Sequence, residues 1–205
     1  VVPCNLQSVV HNWDFAVSNQ GFTMTTCDAT GGAPVWAWGA SNIAGAPGSV
    51  WATVLLANYP NNSGHGIVSP SFTVGPSSNK LEISHYVRTE TNFDGCNVQV
   101  GGTVIPPTDG YPATISTSTG FYAYCVNMEQ GFTGNSATGP SQNWVQRCFD
   151  LSAYNGQTIQ VEFDFGTDSS VTYRGWALAY VKVGTDAVVP VEATTWGRVK
   201  TFYDN

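Results

Sequence analysis

Charge is what this sequence has least of. Only 10% of its 205 residues are Asp, Glu, Lys or Arg, against about 25% in an average soluble domain. Seven Lys plus Arg face fourteen Asp plus Glu, for a net charge of −7. That excludes the basic footprint on which nucleic-acid binding depends. No apolar run approaches the ~18 residues of a membrane-spanning helix. Sustained 3.6-residue periodicity is also missing, and Met occurs only twice, which argues against a helical domain. No two cysteines stand in a C-x-x-C pair, which removes the usual zinc frameworks. G-x-S-x-G, H-E-x-x-H and Cys–His signatures are lacking. His11, His65 and His85 are scattered, and no two acids are specified as a hydrolytic pair. The chain is therefore not expected to be an enzyme.

What is present is turn and ring chemistry: 22 Gly, 11 Pro, 7 Trp, 9 Tyr and 10 Phe. Short alternating runs such as "APVWAWG", "LEISHYVRTE", "WVQRCFDLS" and "TIQVEFDFG" follow one another between Gly-, Asn- and Ser-rich turns. "HNWDFAV" and "GFTMTTC" meet at a hairpin or tight corner around "SNQ", and "FYAYCVN" reads as another strand. This pattern predicts an all-β fold, a two-sheet antiparallel β-sandwich of the jelly-roll type. The sandwich is expected over residues 11–184, with an N-terminal arm over 1–10 and a C-terminal arm over 185–205. A short helix is expected in "TTWGRVKTFY". Within "VEFDFGTDSSVTYRGWALAYVKV" (161–183), two alternating runs flank a polar loop and read as a hairpin, with Trp176 plugging the core. Five cysteines in so weakly charged a chain suggest an oxidising compartment and two disulfides. Cys125 with Cys148 is the favoured pair, then Cys4 with Cys27, leaving Cys96 free. The opening Val1-Val2-Pro3-Cys4 reads as a processed start.

The order of motifs "HNWDFAVSNQGF", "WAWG", "GSVWATVLLANYPNN", "IVSPSF", "LEISHYVRTETNFDGCNVQV", "FDLSAYNGQTIQVEFDFGTDSS" and "GWALAYVKV" resembles one group of extracellular modules. These are the MAM-like jelly rolls appended to bacterial immune-inhibitor-A-type metallopeptidases, zinc carboxypeptidases and subtilisins. The resemblance covers about residues 11–184 and implies a non-catalytic β-sandwich, secreted or held at a bacterial cell surface. In related modules, acids on the first and last strands contribute to a structural calcium. Here those positions are Ala16 and Ala179, so the resemblance implies no calcium there, and no cofactor is expected.

Glu90, Asp94 and Asp168 are the remaining oxygen-bearing candidates for a cation, but each sits among turn residues. Asp accepts backbone N–H bonds in turns without any metal, so no metal is expected. Trp36 and Tyr111 are the expected exposed rings for carbohydrate stacking, whereas Trp38, Trp51 and Trp176 are expected in the core. Apolar residues in the arms (Val9, Val10, Val189, Val191, Trp196, Phe202 and Tyr203) are the candidate assembly contacts. The expected function is a secreted structural or adhesive subunit, self-associating or binding other extracellular components. A carbohydrate-binding accessory module of a secreted hydrolase, with a polysaccharide as partner, is the alternative.

Overall fold

The computed structural model describes residues 3–27, 32, 35–116, 122–136 and 144–186. Fifteen strands follow in order: β1 (Leu6–Asp14), β2 (Thr23–Thr25), β3 (Ala37–Ala40), β4 (Ser49–Ala52), β5 (Gly64–Val68), β6 (Phe72–Thr73), β7 (Lys80–Arg88) and β8 (Gly95–Val100). Then come β9 (Thr103–Val104), β10 (Ala113–Thr114), β11 (Gln130–Gly131), β12 (Val145–Asp150), β13 (Thr158–Ile159), β14 (Glu162–Gly166) and β15 (Gly175–Asp186). The only helical element among the described residues is a 3-10 turn, Ser152–Tyr154. It leads into an Asn155-Gly156 turn, where Gly156 takes φ +81°.

Among the described residues the larger sheet has six strands in the order β12-β7-β15-β4-β3, with β1 also paired to β15; facing it is one of five, in the order β2-β5-β14-β8-β9, and β10 with β11 and β13 with β6 form two small two-stranded sheets. Every registered pair is antiparallel. The fold is thus the all-β sandwich that alternation predicts. Alternation also sets the core between the sheets. Phe163 and Phe165 of β14 meet Trp176, Leu178, Val181 and Val183 of β15, all fully buried. The parity of β15 changes between Leu178 and Tyr180, where the register against β7 slips by one residue. This bulge is why "WALAYVKV" keeps both Leu178 and Val181 inside. A second cluster (Ile43, Val50, Ala52, Tyr86 and Ala177) sits apart from the main core, with Trp144 packed on it.

Several expectations are corrected. Residues 161–183 do not form a hairpin, because β14 and β15 lie in different sheets. The loop between them is a crossing, and the two runs alternate alike because each presents its apolar side to the same interior. Trp176, as expected, is fully buried. "SNQ" is a corner, since β1 and β2 belong to opposite sheets; Gln20 and Gly21 both take positive φ there, 57° and 74°. "FYAYCVN" forms a turn with Cys125 at φ 66°. The boundary expected after residue 10 falls inside β1, whose Leu6 pairs with Asp186.

The four expected cysteines are bridged, but as Cys4–Cys148 and Cys27–Cys125, with Cys96 free and buried. Cys125 with Cys148 fails because Cys148 lies on β12, in the six-stranded sheet. Cys125, by contrast, packs on the cluster of Ile115, Ala123 and Val126 and approaches Gly64 of the five-stranded sheet. Among the described residues no helix is long and apolar enough to cross a membrane.

Candidate functional site

The five-stranded sheet has one face in the core and another turned outward, and on the outer face small residues line up across strands. Gly64 of β5, Gly166 of β14 and Gly95 of β8 stand side by side in register. The segment 122–132 lies directly on this row. A Cβ added at Gly64 or Gly166 would overlap Tyr124, and one at Gly95 would crowd Ile115 and the Phe132 carbonyl. Glycine is required here for close approach of a second layer of backbone. The Cys27–Cys125 bridge ties that layer down.

Further along the same face the row becomes polar. Asp164 is opposite Asn97 and Gly66. The side chain of Asn97 donates to Glu129 Oε2 at 2.7 Å, and that of Gln99 donates to the same oxygen at 3.0 Å. Asp164 is 2% exposed, and its Oδ1 has no hydrogen-bond partner among the described residues. Burial, with Glu162 and Glu129 nearby, pushes its carboxyl up to about 8. Beyond Asp164 the face opens into a groove of about 650 Å³. Its walls carry hydroxyls and carboxamides from Thr25, Thr103, Gln157, Thr158 and Gln160, with Tyr154 as its aromatic ring and Glu162 as its one charged side chain.

The second cluster lies where the chain changes sheets. Glu90 and Asp94 belong to the β7–β8 crossing, Asp168 to the β14–β15 crossing and Tyr59 to the β4–β5 crossing. One oxygen from each of the three acids lies within 4.8 Å of the others. Asp94 is fully buried and Asp168 is 1% exposed. Asp94 accepts on both oxygens, from the Tyr59 hydroxyl at 2.7 Å and from the Asp168 N–H at 2.7 Å. The Tyr59 oxygen accepts the Glu90 N–H at 3.1 Å, which directs its proton to Asp94. Burial drives the Asp94 carboxyl up to about 7; those two hydrogen bonds oppose the shift, while the charges of Asp168 and Glu90 add to it. Glu90 is raised by burial and then by Asp168. Glu90 Oε2 and Asp168 Oδ2 have no hydrogen-bond partner among the described residues. The three acids could serve as oxygen ligands.

Three residues singled out from the sequence turn out differently placed. Trp36 is 3% exposed, stacked edge-on against Trp176 and donating to the His65 carbonyl at 2.9 Å. It cannot be a sugar platform. It lies before β3, so strand alternation does not make it share a face with Trp38, which is 39% exposed. Tyr111 is half-buried; its hydroxyl accepts the Val98 N–H and donates to the Ile105 carbonyl, both at 2.9 Å. Trp51, in contrast, is buried as expected. Ala16 and Ala179 do come together, lining one cavity with Asp14, Trp144 and Tyr180, and Phe15 donates its N–H to the Ala179 carbonyl. Val9 and Val10 are exposed at 46% and 51%. Val189, Val191, Trp196, Phe202 and Tyr203, with the expected helix, lie outside the described residues. The polar groove was missed because its side chains come from β2, β5, β8, β9, β13, β14, the 3-10 turn and the loops beside them, whose lateral order local sequence does not contain.

No protein-family model matches the chain. Over 146 residues, 69% of its length, it is 29% identical to Bacillopeptidase F of Bacillus subtilis (strain 168), and it spans only 9% of that protein. Among solved structures it resembles the K1 cleaved adhesin domain of Lys-gingipain from Porphyromonas gingivalis W83. The TM-score is 0.51 at 14% identity, over 86% of this chain and 98% of that one. Against the C-terminal CBM6 of LamC from Zobellia galactanivorans the TM-score is 0.39 at 12% identity, over 80% and 100% of the two chains. At these identities the likeness is one of fold. The chain is a β-sandwich module.

Proposed function

We propose that the chain is a secreted, non-catalytic binding module that holds a neutral polysaccharide in the groove on the outer face of its five-stranded sheet, working beside a hydrolase. The groove carries this reading. It is open, floored by a rigid sheet, and lined by uncharged donors and acceptors suited to sugar hydroxyls, with Tyr154 as a ring to stack on. Among the described residues no Lys or Arg lines it, which disfavours polyuronates and sulfated chains. A glycosidase would need two carboxyl groups touching the scissile bond. Among the described residues Glu162 is the only acid lining the groove; Asp164 is buried, and Glu129 is engaged by Asn97 and Gln99. Two disulfides suit an oxidising, extracellular setting, as does the MAM-like order of motifs. The partial match to a far longer protein named as a peptidase supports an accessory role.

The test is retention on a panel of insoluble glucans, chitin and xylan, with affinity electrophoresis in soluble polysaccharides. At least one should retain the protein without being hydrolysed. Tyr154→Ala and Gln160→Ala should each weaken binding by about tenfold, the loss of one stacked ring or one well-placed hydrogen bond. Failure of every member of the panel to retain the protein removes this reading.

A second reading, a self-associating structural subunit, draws on β1. This strand pairs with β15 on one side and exposes Val9 and Val10, so its other edge is suited to strand addition. Sedimentation distinguishes the two: species larger than a monomer that vanish in Val10→Lys would favour assembly.

A further inference from the structure

We infer that Glu90, Asp94 and Asp168 form a calcium site that fastens together two of the crossings between the two sheets. This goes beyond the glycan reading and does not depend on it. The groove and the acids involve different residues, and the acids do not line the cavity around Ala16 and Ala179 either.

Both Asp94 oxygens accept hydrogen bonds, from the Tyr59 hydroxyl and from the Asp168 N–H, and the residue is fully buried. Two further acids stand within 4.8 Å of it, and no cation from Lys or Arg is paired with any of the three among the described ion pairs. Negative charge collected in this way is costly without a compensating positive one.

Asp168 is 1% exposed; its Oδ1 accepts the Ser170 N–H at 2.8 Å, but its Oδ2 has no partner among the described residues. Glu90 Oε2 is likewise buried and unpaired. A buried oxygen without a donor forfeits its hydration for nothing in return. A cation between these oxygens would satisfy both.

The ligand set is all oxygen, with no His or Cys in the cluster, which favours a hard ion over zinc or copper. The ligands sit on irregular crossings, and Asp94 Oδ atoms retain lone pairs beyond their two hydrogen bonds. Calcium tolerates such geometry and completes its six to eight ligands with water, whereas magnesium demands a near-octahedral cage. Glu90, only partly buried, gives access from solvent. Each acid is one or two residues from a strand end, so the ion would tie β7 and β15 of one sheet to β8 and β14 of the other.

The experiment is thermal unfolding of the purified chain in EDTA and in millimolar calcium chloride, with terbium luminescence sensitised by nearby Tyr59 as a direct probe. Calcium should raise Tm by about 5–10 °C at a hundredfold excess over the dissociation constant and displace terbium. Asp168→Asn and Glu90→Gln should lose the response. In EDTA, Asp168→Asn should be at least as stable as the parent, because it removes one of the mutually repelling charges. Identical Tm with and without calcium overturns the assignment, as does a calcium response that survives in both variants. An Asp168→Asn protein equally destabilised in EDTA and in calcium would mark Asp168 as a turn residue only, and would also overturn it.

Discussion

Gly166 of β14 lies directly beneath the backbone carbonyl of Tyr124, so close that a Cβ at 166 would occupy the place of that oxygen. The contact joins the sheet to the layer that covers its outer face, and backbone has no rotamer by which to yield. Gly166→Ala should therefore cost about 2–4 kcal/mol, in the range of severe overpacking. Gly156→Ala has nothing within 4 Å of the added Cβ and should cost about 1 kcal/mol, from its φ of +81° alone. Urea unfolding of the two variants checks the contrast.

The two disulfides close segments separated by 98 and 144 residues. For loops this long, the lost freedom of the unfolded chain is worth about 4–5 kcal/mol per bridge in the entropy model. Cys27→Ser with Cys125→Ser should lower Tm and loosen the layer over Gly64 and Gly166. Cys4→Ser with Cys148→Ser should lower Tm and free the start of β1 from β12. Peptide mapping without reduction should recover the Cys4–Cys148 and Cys27–Cys125 fragments. Cys96, fully buried, should react with iodoacetamide only once the protein unfolds. Recovery of a Cys125–Cys148 fragment would contradict the fold.

Local sequence carries the alternation of a strand but not its neighbour across the sandwich. That is why the two-sheet class and the burial of Trp176 follow from the chain alone, while the hairpin over 161–183 does not. β14 and β15 alternate in the same way whether they pair with each other or face each other; the pairing of β14 with β5 and β8 and of β15 with β7 and β4, with the Phe163–Trp176 ring contact across the core at 5.8 Å, distinguishes the two. The acids show the same limit. Each of Glu90, Asp94 and Asp168 reads as a turn residue by itself, since turn chemistry is local. Their convergence comes from crossings 74 residues apart, joined by the bond from Asp168 to Asp94.

The exchanged roles of Trp36 and Trp38 give a direct comparison. Trp36 packs on Trp176 and donates to the His65 carbonyl, so Trp36→Ala should cost about 3–5 kcal/mol. Trp38 is 39% exposed, and its indole donates to the Phe15 carbonyl at 2.9 Å. Trp38→Ala should cost about 1–2 kcal/mol, from one hydrogen bond and partial burial. Equal losses in chemical denaturation would mean that the side chains are not placed as described.

Asp164 makes the stability of the fold depend on pH. Its carboxyl is raised from 3.8 to about 8, by burial first and then by Glu162 and Glu129. Below pH 4 the folded and unfolded chains both hold the proton, and the contribution is fully present. As pH rises toward 8 the unfolded chain releases the proton while the folded chain keeps it, so stability falls by at most about 1.4 kcal/mol per pH unit. Asp164→Asn keeps the shape and cannot ionise. The variant should match the parent near pH 4 and exceed it by about 2–4 kcal/mol at pH 8. Urea midpoints measured across this range in EDTA give the difference directly, because other titrating groups, Asp94 among them, are common to both proteins. A constant offset between the two at every pH would show that Asp164 loses its proton as readily in the folded chain as in the unfolded one.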